Sequence, residues 1–400
     1  MTAALPALPP LTLSGQEAVL CPAHAAYMAR TDLEQTRMLG YTPVNLDAVT
    51  TLLLGLLGTR ATVRHISGTT DEILDCLTEA GLSITEEMHR YETRAEAEAH
   101  AERLVAEGRA LFWPYPLRAG RFADAAHLVP PALWARLNSK TALPDLVPPE
   151  ALASRQTYPT AALPGEIALP VYLKAGGEEA TGWGYAVRPC DTAGQLDEAR
   201  AAFLAQGIET VIVEDAMTVR HCWCVNLAVT PETVQLLGAA EQTFSAPARQ
   251  LGSVIDPDTP YPEAGHALAL SVADAARRQG FLGVCGLDIG QTDDGQLIVF
   301  DPNFRFNSST PQILLHRAAA MRSGLPVSLS FSGTTRRAMP DLITRIRGPI
   351  ADGWFVPTRL LDGTLLPAAD GMSLCTGFVL AETRAAAEDR SRTLQALIEV

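Results

Sequence analysis

The sequence predicts a mixed α/β (α+β) protein of several domains. Three observations point there. Short β-like segments alternate with helical patterns, Gly and Pro turns punctuate them, and 47% hydrophobic against 19% charged residues supplies real cores for 400 residues. At about 150 residues per domain, the length holds two or three domains. A chain this apolar and weakly charged does not stay disordered. Its longest apolar run, Leu52 to Leu57, is broken by Gly55 and falls far short of the roughly 20 residues a membrane span needs, so no membrane partner is expected. Met1 to Pro10 has no basic start before an apolar stretch, so a cytoplasmic location is expected. The net charge of −14 opposes a nucleic-acid partner, because counterion release needs a basic surface.

The N-terminal region, 1–135, reads as a small α/β domain. Thr93 and Glu96 have capping-box spacing before an Ala/Glu-rich run that ends at Gly108, and Ala110 to Pro116 reads as a strand stopped by prolines. The Pro-rich passage Pro144 to Pro149 separates this region from the next. Ile167 to Lys174 is β-like and runs into four glycines within residues 175–184 before Tyr185 to Arg188 resumes as strand. The glycines then form a hairpin tip whose backbone N–H groups could fold over phosphates, or simply a turn. Neither phosphate-binding glycine pattern, G-x-x-x-x-G-K-[ST] or G-x-G-x-x-G, is present. Further on, Asp197 to Gln206 reads as helix, Thr210 to Glu214 and Cys222 to Val229 as strands, Pro262 to Gln279 as a helix ended by Gly280, and Ala385 to Ile398 as helix.

Cysteine and lysine usage narrow the chemistry. The seven cysteines contain no C-x-x-C pair, so buried thiols are expected rather than a disulfide scaffold. Eight histidines form no H-E-x-x-H motif, which leaves a zinc site without support. Of 31 basic residues only Lys140 and Lys174 are lysines. In a chain that uses arginine for generic positive charge, they mark places where a compact ammonium is needed, for instance among phosphate oxygens; incidental surface positions are the alternative.

The most informative stretch is the apolar run from Phe281 into Asp288, a turn at Asp294-Gly295, and the strand Gln296 to Asn307. A two-residue reversal there places Asp288 and Asp301 at equal distances from the turn and directly opposite, with Cβ atoms about 4.5–5.5 Å apart, unless a bulge shifts the register. Two facing carboxylates repel unless a positive charge lies between them. Alternation sends Ile298, Phe300, Pro302, Phe304 and Phe306 to one face and Asp301, Asn303, Arg305 and Asn307 to the other. The polar face reads either as a site wall whose oxygen ligands suit Mg²⁺ or as a solvated strand face.

These residues resemble the ATP-grasp superfamily. Asp288, followed thirteen residues later by Asp301-Pro302-Asn303-Phe304-Arg305, is similar to its metal-binding hairpin; Lys140 and Lys174 fall where the family places two nucleotide-binding lysines, and Gly176 to Gly184 where its phosphate-covering loop lies. The resemblance spans about residues 136–320. It implies a two-lobed ATP-grasp domain (136–215 and 216–325) after the N-terminal domain and before a C-terminal extension, 326–400. It also implies ATP and Mg²⁺ as cofactors. Lys140, Lys174, Gly176, Gly177, Gly182, Glu214 and Ala216 would bind nucleotide, the last two at the hinge strand Val211 to Glu214 and just beyond it. Asp288, Asp301 and Asn303 would hold the metal, and Arg305 and Arg220 would be catalytic. Asp301 stands where the family more commonly has Glu. The overall layout is similar to peptide ligases of the pheganomycin type. The implied activity joins a small carboxylate to an amine through an acyl phosphate, with small-molecule substrates as partners and a homodimer as the general expectation for a soluble enzyme. A carboxylate kinase and a non-catalytic nucleotide-binding regulatory protein are the alternatives.

Overall fold

The computed structural model describes residues 8–11, 15–29, 49–114, 120–177 and 186–399. Four parallel strands, Ala25–Tyr27 (β1), Ala61–His65 (β2), Glu87–Tyr91 (β3) and Ala110–Phe112 (β4), form a first sheet in the order β3-β2-β1-β4. Thr93 and Glu96 do form a capping box, and the helix it starts runs Arg94–Ala106. Ala97, Ala101 and Leu104 of that helix pack on Ala26, Val63 and Leu111, while its charged face stays in solvent. The strand expected to reach Pro116 ends at Phe112; Pro116 itself lies outside the described residues.

A second, antiparallel sheet comprises Arg155–Pro159 (β5), Val171–Ala175 (β6), Val187–Cys190 (β7) and Thr210–Asp215 (β8), in the order β5-β8-β6-β7. Leu196, Ala199 and Phe203 of the helix Ala193–Ala205 close one face against Leu173, Val211 and Val213. This helix starts four residues before the expected Asp197, because Thr192 and Gln195 make a second capping box that the sequence reading passed over.

The third sheet has eight antiparallel strands. They are Val219–Val229 (β9), Val234–Ala246 (β10), Arg249–Ile255 (β11), Gly283–Thr292 (β12), Leu297–Asn303 (β13), Val327–Thr335 (β14), Phe355–Leu361 (β15) and Ser373–Ala381 (β16). Their order is β13-β12-β9-β10-β11-β14-β16-β15, so residues 326–400 continue the sheet begun by 216–325. The helix Glu263–Arg278 presents Ala269, Val272, Ala273 and Ala276 to the core, small residues that let it lie close to the strands. The hairpin of β10 and β11 was not anticipated.

The hairpin of β12 and β13 reaches the expected pairing by an unexpected route. Its reversal takes three residues, 293–295, with Thr292 N–H donating to the Gln296 carbonyl at 3.0 Å and Gly295 at φ +88°. The register is therefore one residue off near the turn, where Gln291 faces Leu297 and Ile289 faces Val299. A bulge at Phe300 restores it, and Asp288 stands opposite Asp301. The bulge also corrects the expected alternation. Ile298, Pro302, Phe304 and Phe306 are buried as expected, but Phe300 turns to the polar side, where its ring has the Lys174 ammonium 5.6 Å from its centroid. Gly290 makes this possible, since a Cβ there would come within 2.4 Å of the Phe300 ring. Just beyond β13, Phe304 meets Phe281 edge to face at 4.9 Å, and Phe306 packs on Tyr27 and Phe112 of the first sheet, all within one continuous core.

Candidate active site

A cleft of about 480 Å³ lies between the second and third sheets. Tyr172, Lys174, Val187 and Glu214 line it from the smaller sheet, and Val219, Cys222, Gln242, Asp288, Phe300 and Asp301 from the larger, with Lys140 reaching in from the segment between the N-terminal domain and β5. The structure therefore brings together both lysines and both aspartates that the sequence singled out. Each ammonium is already matched. Lys140 Nζ bonds Asp301, and Lys174 Nζ bonds Glu214, with both lysines only 5% exposed. Burial pulls the Lys174 ammonium below its ordinary range while the Glu214 carboxylate pulls it back. Glu214 also has Arg155 Nη1 at 3.5 Å, and Arg155 Nη2 donates to the Lys140 carbonyl at 2.9 Å.

Asp288 lies deeper in the wall. Gln242 Nε2 donates to its Oδ1 at 2.9 Å, and Cys222 Sγ donates in turn to Gln242 Oε1 at 3.2 Å. Burial and the facing Asp301 charge push the Asp288 carboxyl up to about 7, against the opposing pull of Gln242 and Lys140. A free chain ionises the same carboxyl near 3.9. Between about pH 4 and 7 the native state then binds more protons than the unfolded one, so this group makes stability fall as pH rises through that window and level off above it. Urea midpoints measured from pH 4 to 8 without metal should show this fall in the wild type and a flatter profile in Asp288→Asn.

The remaining expected site residues are placed less simply. Gly176 N–H is donated to the Thr210 carbonyl at 2.9 Å, and the Gly177 carbonyl accepts from Ser139 Oγ at 3.1 Å, so the root of the glycine loop is fixed; Gly182 lies outside the described residues. Ala216, expected to bind nucleotide just beyond the hinge strand, donates its N–H to the Pro170 carbonyl at 3.1 Å and is not among the residues lining the cleft, whereas Met217, the next residue, is. Glu214, expected to bind nucleotide at the hinge strand, holds Lys174. Arg305 and Asn303 are buried and bonded to each other, next to Asp301 along the chain but not among the residues lining the cleft. Arg220, expected to be catalytic, sits at the irregular pairing where Thr292 meets Val219 and Gln291 meets His221, exposed and not among the residues lining the cleft.

Arg155, Gln242, Cys222, Tyr172 and Phe300 were missed. Nothing marks Arg155 among the many arginines, and Gln242 and Cys222 reach the site only through the pairing of strands distant in sequence. All seven cysteines are free and buried.

The facing carboxylates fit a hard divalent ion in donor chemistry and in charge. The two aspartates face each other across the hairpin, and their repulsion is relieved by a proton on Asp288 or by a cation; in this structure the Lys140 ammonium bonds Asp301. Among the described residues, no three His, Cys, Asp or Glu side chains group to hold a metal by themselves.

Comparison with known proteins gives concordant results. A family model described as the N-terminal domain of L-aspartate–L-methionine ligase matches residues 17–135, and one described as the ATP-grasp domain of that ligase matches residues 154–303. The description differs from the pheganomycin type. Among solved structures, the fold is similar to an N5-carboxyaminoimidazole ribonucleotide synthetase in its ADP complex (TM-score 0.54, 13% identity, covering 98% of each chain). It is also similar to an L-amino acid ligase from Bacillus licheniformis (0.52, 10%, covering 94% of this chain and 97% of that one). The Thermus thermophilus N5-carboxyaminoimidazole ribonucleotide synthetase gives 0.52 at 15% identity, over 94% and 98%. At these identities the likeness is one of fold. Among the described residues no helix is long and apolar enough to cross a membrane.

Proposed function

Because the chain belongs to the ATP-grasp carboxylate–amine ligases, we propose that it condenses two amino acids, with L-aspartate supplying the carboxylate and L-methionine the amine. The pair is the one named in the matching family's description. One observation carries the chemical reading: Asp288 faces Asp301 in a cleft that also holds Lys140 and Lys174. The chain is an ATP-dependent ligase that binds nucleotide and small-molecule substrates, and the kinase and regulatory readings are not favoured.

The residues account for the steps as follows. A carboxylate is a poor electrophile, so its oxygen must first attack the γ-phosphorus of ATP, giving an acyl phosphate and ADP. The amine then attacks the acyl carbon and phosphate leaves. Tyr172, Val187, Met217 and Phe300 give the cleft an apolar slot that suits an adenine ring. Lys140 and Lys174 are positioned to bind phosphate oxygens and offset the repulsion between two anionic reactants. Asp288 and Asp301, with Asn303 if Arg305 releases its amide oxygen, would hold Mg²⁺, which when bound neutralises phosphate charge as the attacking oxygen approaches. Free buried thiols suit a reducing cytoplasm. The working units are an N-terminal domain (1–135), a small lobe (136–215) and a large lobe (216–325) that residues 326–400 complete.

Coupled ADP release, with mass detection of the product, tests this reading. Release is expected to need both amino acids and to yield their dipeptide. Equal release with L-aspartate alone would favour the kinase, and dipeptide formation from other pairs but not this one would overturn the substrate assignment.

A further inference from the structure

Glu214 is 2% exposed, and a buried carboxylate stripped of its partner is strongly destabilising. In this structure Lys174 is that partner. For Lys174 to serve a phosphate, another cation must hold Glu214. Antiparallel pairing sets Arg155 of β5 directly opposite Glu214 of β8. Its Nη2 is anchored on the Lys140 carbonyl at 2.9 Å. Its Nη1 is buried, has no hydrogen-bond partner, and stands 3.5 Å from Glu214 Oε2. Arg155 Nη1 thus pairs with Glu214 by charge without yet donating a hydrogen bond to it, and a buried N–H that makes no hydrogen bond calls for an explanation, such as a second state of the protein in which the bond forms.

We propose that Arg155 is the reserve counter-ion of Glu214, its Nη1 taking over that carboxylate when Lys174 turns to the nucleotide phosphates. Arg155 is a positioning residue, acting on the phosphates only through Lys174. A lysine could not replace it fully, because one ammonium cannot span a fixed carbonyl and a carboxylate as a planar fork does. The inference rests on the nucleotide reading of the cleft.

Calorimetric ADP binding at fixed Mg²⁺, with KM for ATP and kcat, tests it. Arg155→Gln is expected to weaken ADP binding and raise KM for ATP about tenfold, as expected for loss of a hydrogen bond to a charged group, while kcat at saturating ATP changes by less than about twofold. Adding Glu214→Gln to that variant is expected to restore ADP binding to near the wild-type value, since no charge then detains Lys174. A purely structural role predicts the opposite, a deeper loss in the double variant. Unchanged ADP binding in Arg155→Gln, or a compounded loss on adding Glu214→Gln, overturns the proposal. If Arg155→Gln does not fold, Arg155→Lys takes its place, with intermediate ADP affinity expected and wild-type affinity overturning. Failure of the wild-type protein to bind ADP would instead remove the nucleotide reading itself.

Discussion

Asp301→Asn is expected to slow ADP release at least about 1,000-fold while the protein unfolds at nearly the wild-type temperature. The substitution keeps the shape of the side chain and removes one of two facing negative charges. Loss of that charge should also lower the Asp288 carboxyl from its position near 7, because Asp301 is one of the two causes of the rise. The Lys140 ammonium loses its carboxylate partner, but Asp288 no longer faces a like charge, and no core cavity opens. Turnover falls because one of the two carboxylate charges suited to a divalent ion is lost, leaving a neutral amide oxygen in its place. Coupled ADP release and a thermal melt are the measurements, and activity above a tenth of wild type would count against the assignment.

Lys174→Ala is expected to reduce ADP release at least about 100-fold. It removes an ammonium at the cleft wall, so the phosphates lose a cation at the point where negative charges converge. Glu214 keeps Arg155 3.5 Å away, which should hold the variant folded. Circular dichroism would confirm the fold, and release within tenfold of wild type would dismiss Lys174 from phosphate binding.

Much of the site was legible because its signals are local. Asp288 and Asp301 lie on one hairpin, and the scarcity of lysine drew attention to Lys140 and Lys174. The opposed aspartates survived an error in the turn only because the bulge at Phe300 compensates for the extra loop residue. That bulge could not be read from alternation, and so Phe300 was assigned to the core. Gln242 and Cys222 were invisible for a different reason: β9 and β10 reach the site through sheet pairing, which depends on tertiary packing rather than local pattern. The commitment of Ala216 N–H to Pro170 and the exposure of Arg220 likewise depend on how neighbouring segments pack. The C-terminal quarter showed mixed signals, and its three strands became intelligible only as the far edge of a sheet begun a hundred residues earlier.

The central claim is that an aspartate pair captures a divalent ion together with a nucleotide. Paramagnetic resonance of Mn²⁺, used in place of Mg²⁺ and titrated into the protein with saturating ADP, tests this most directly. The account predicts protein-bound Mn²⁺ in the wild type and at least tenfold weaker binding in both Asp288→Asn and Asp301→Asn. Equal Mn²⁺ affinity in all three proteins would contradict it.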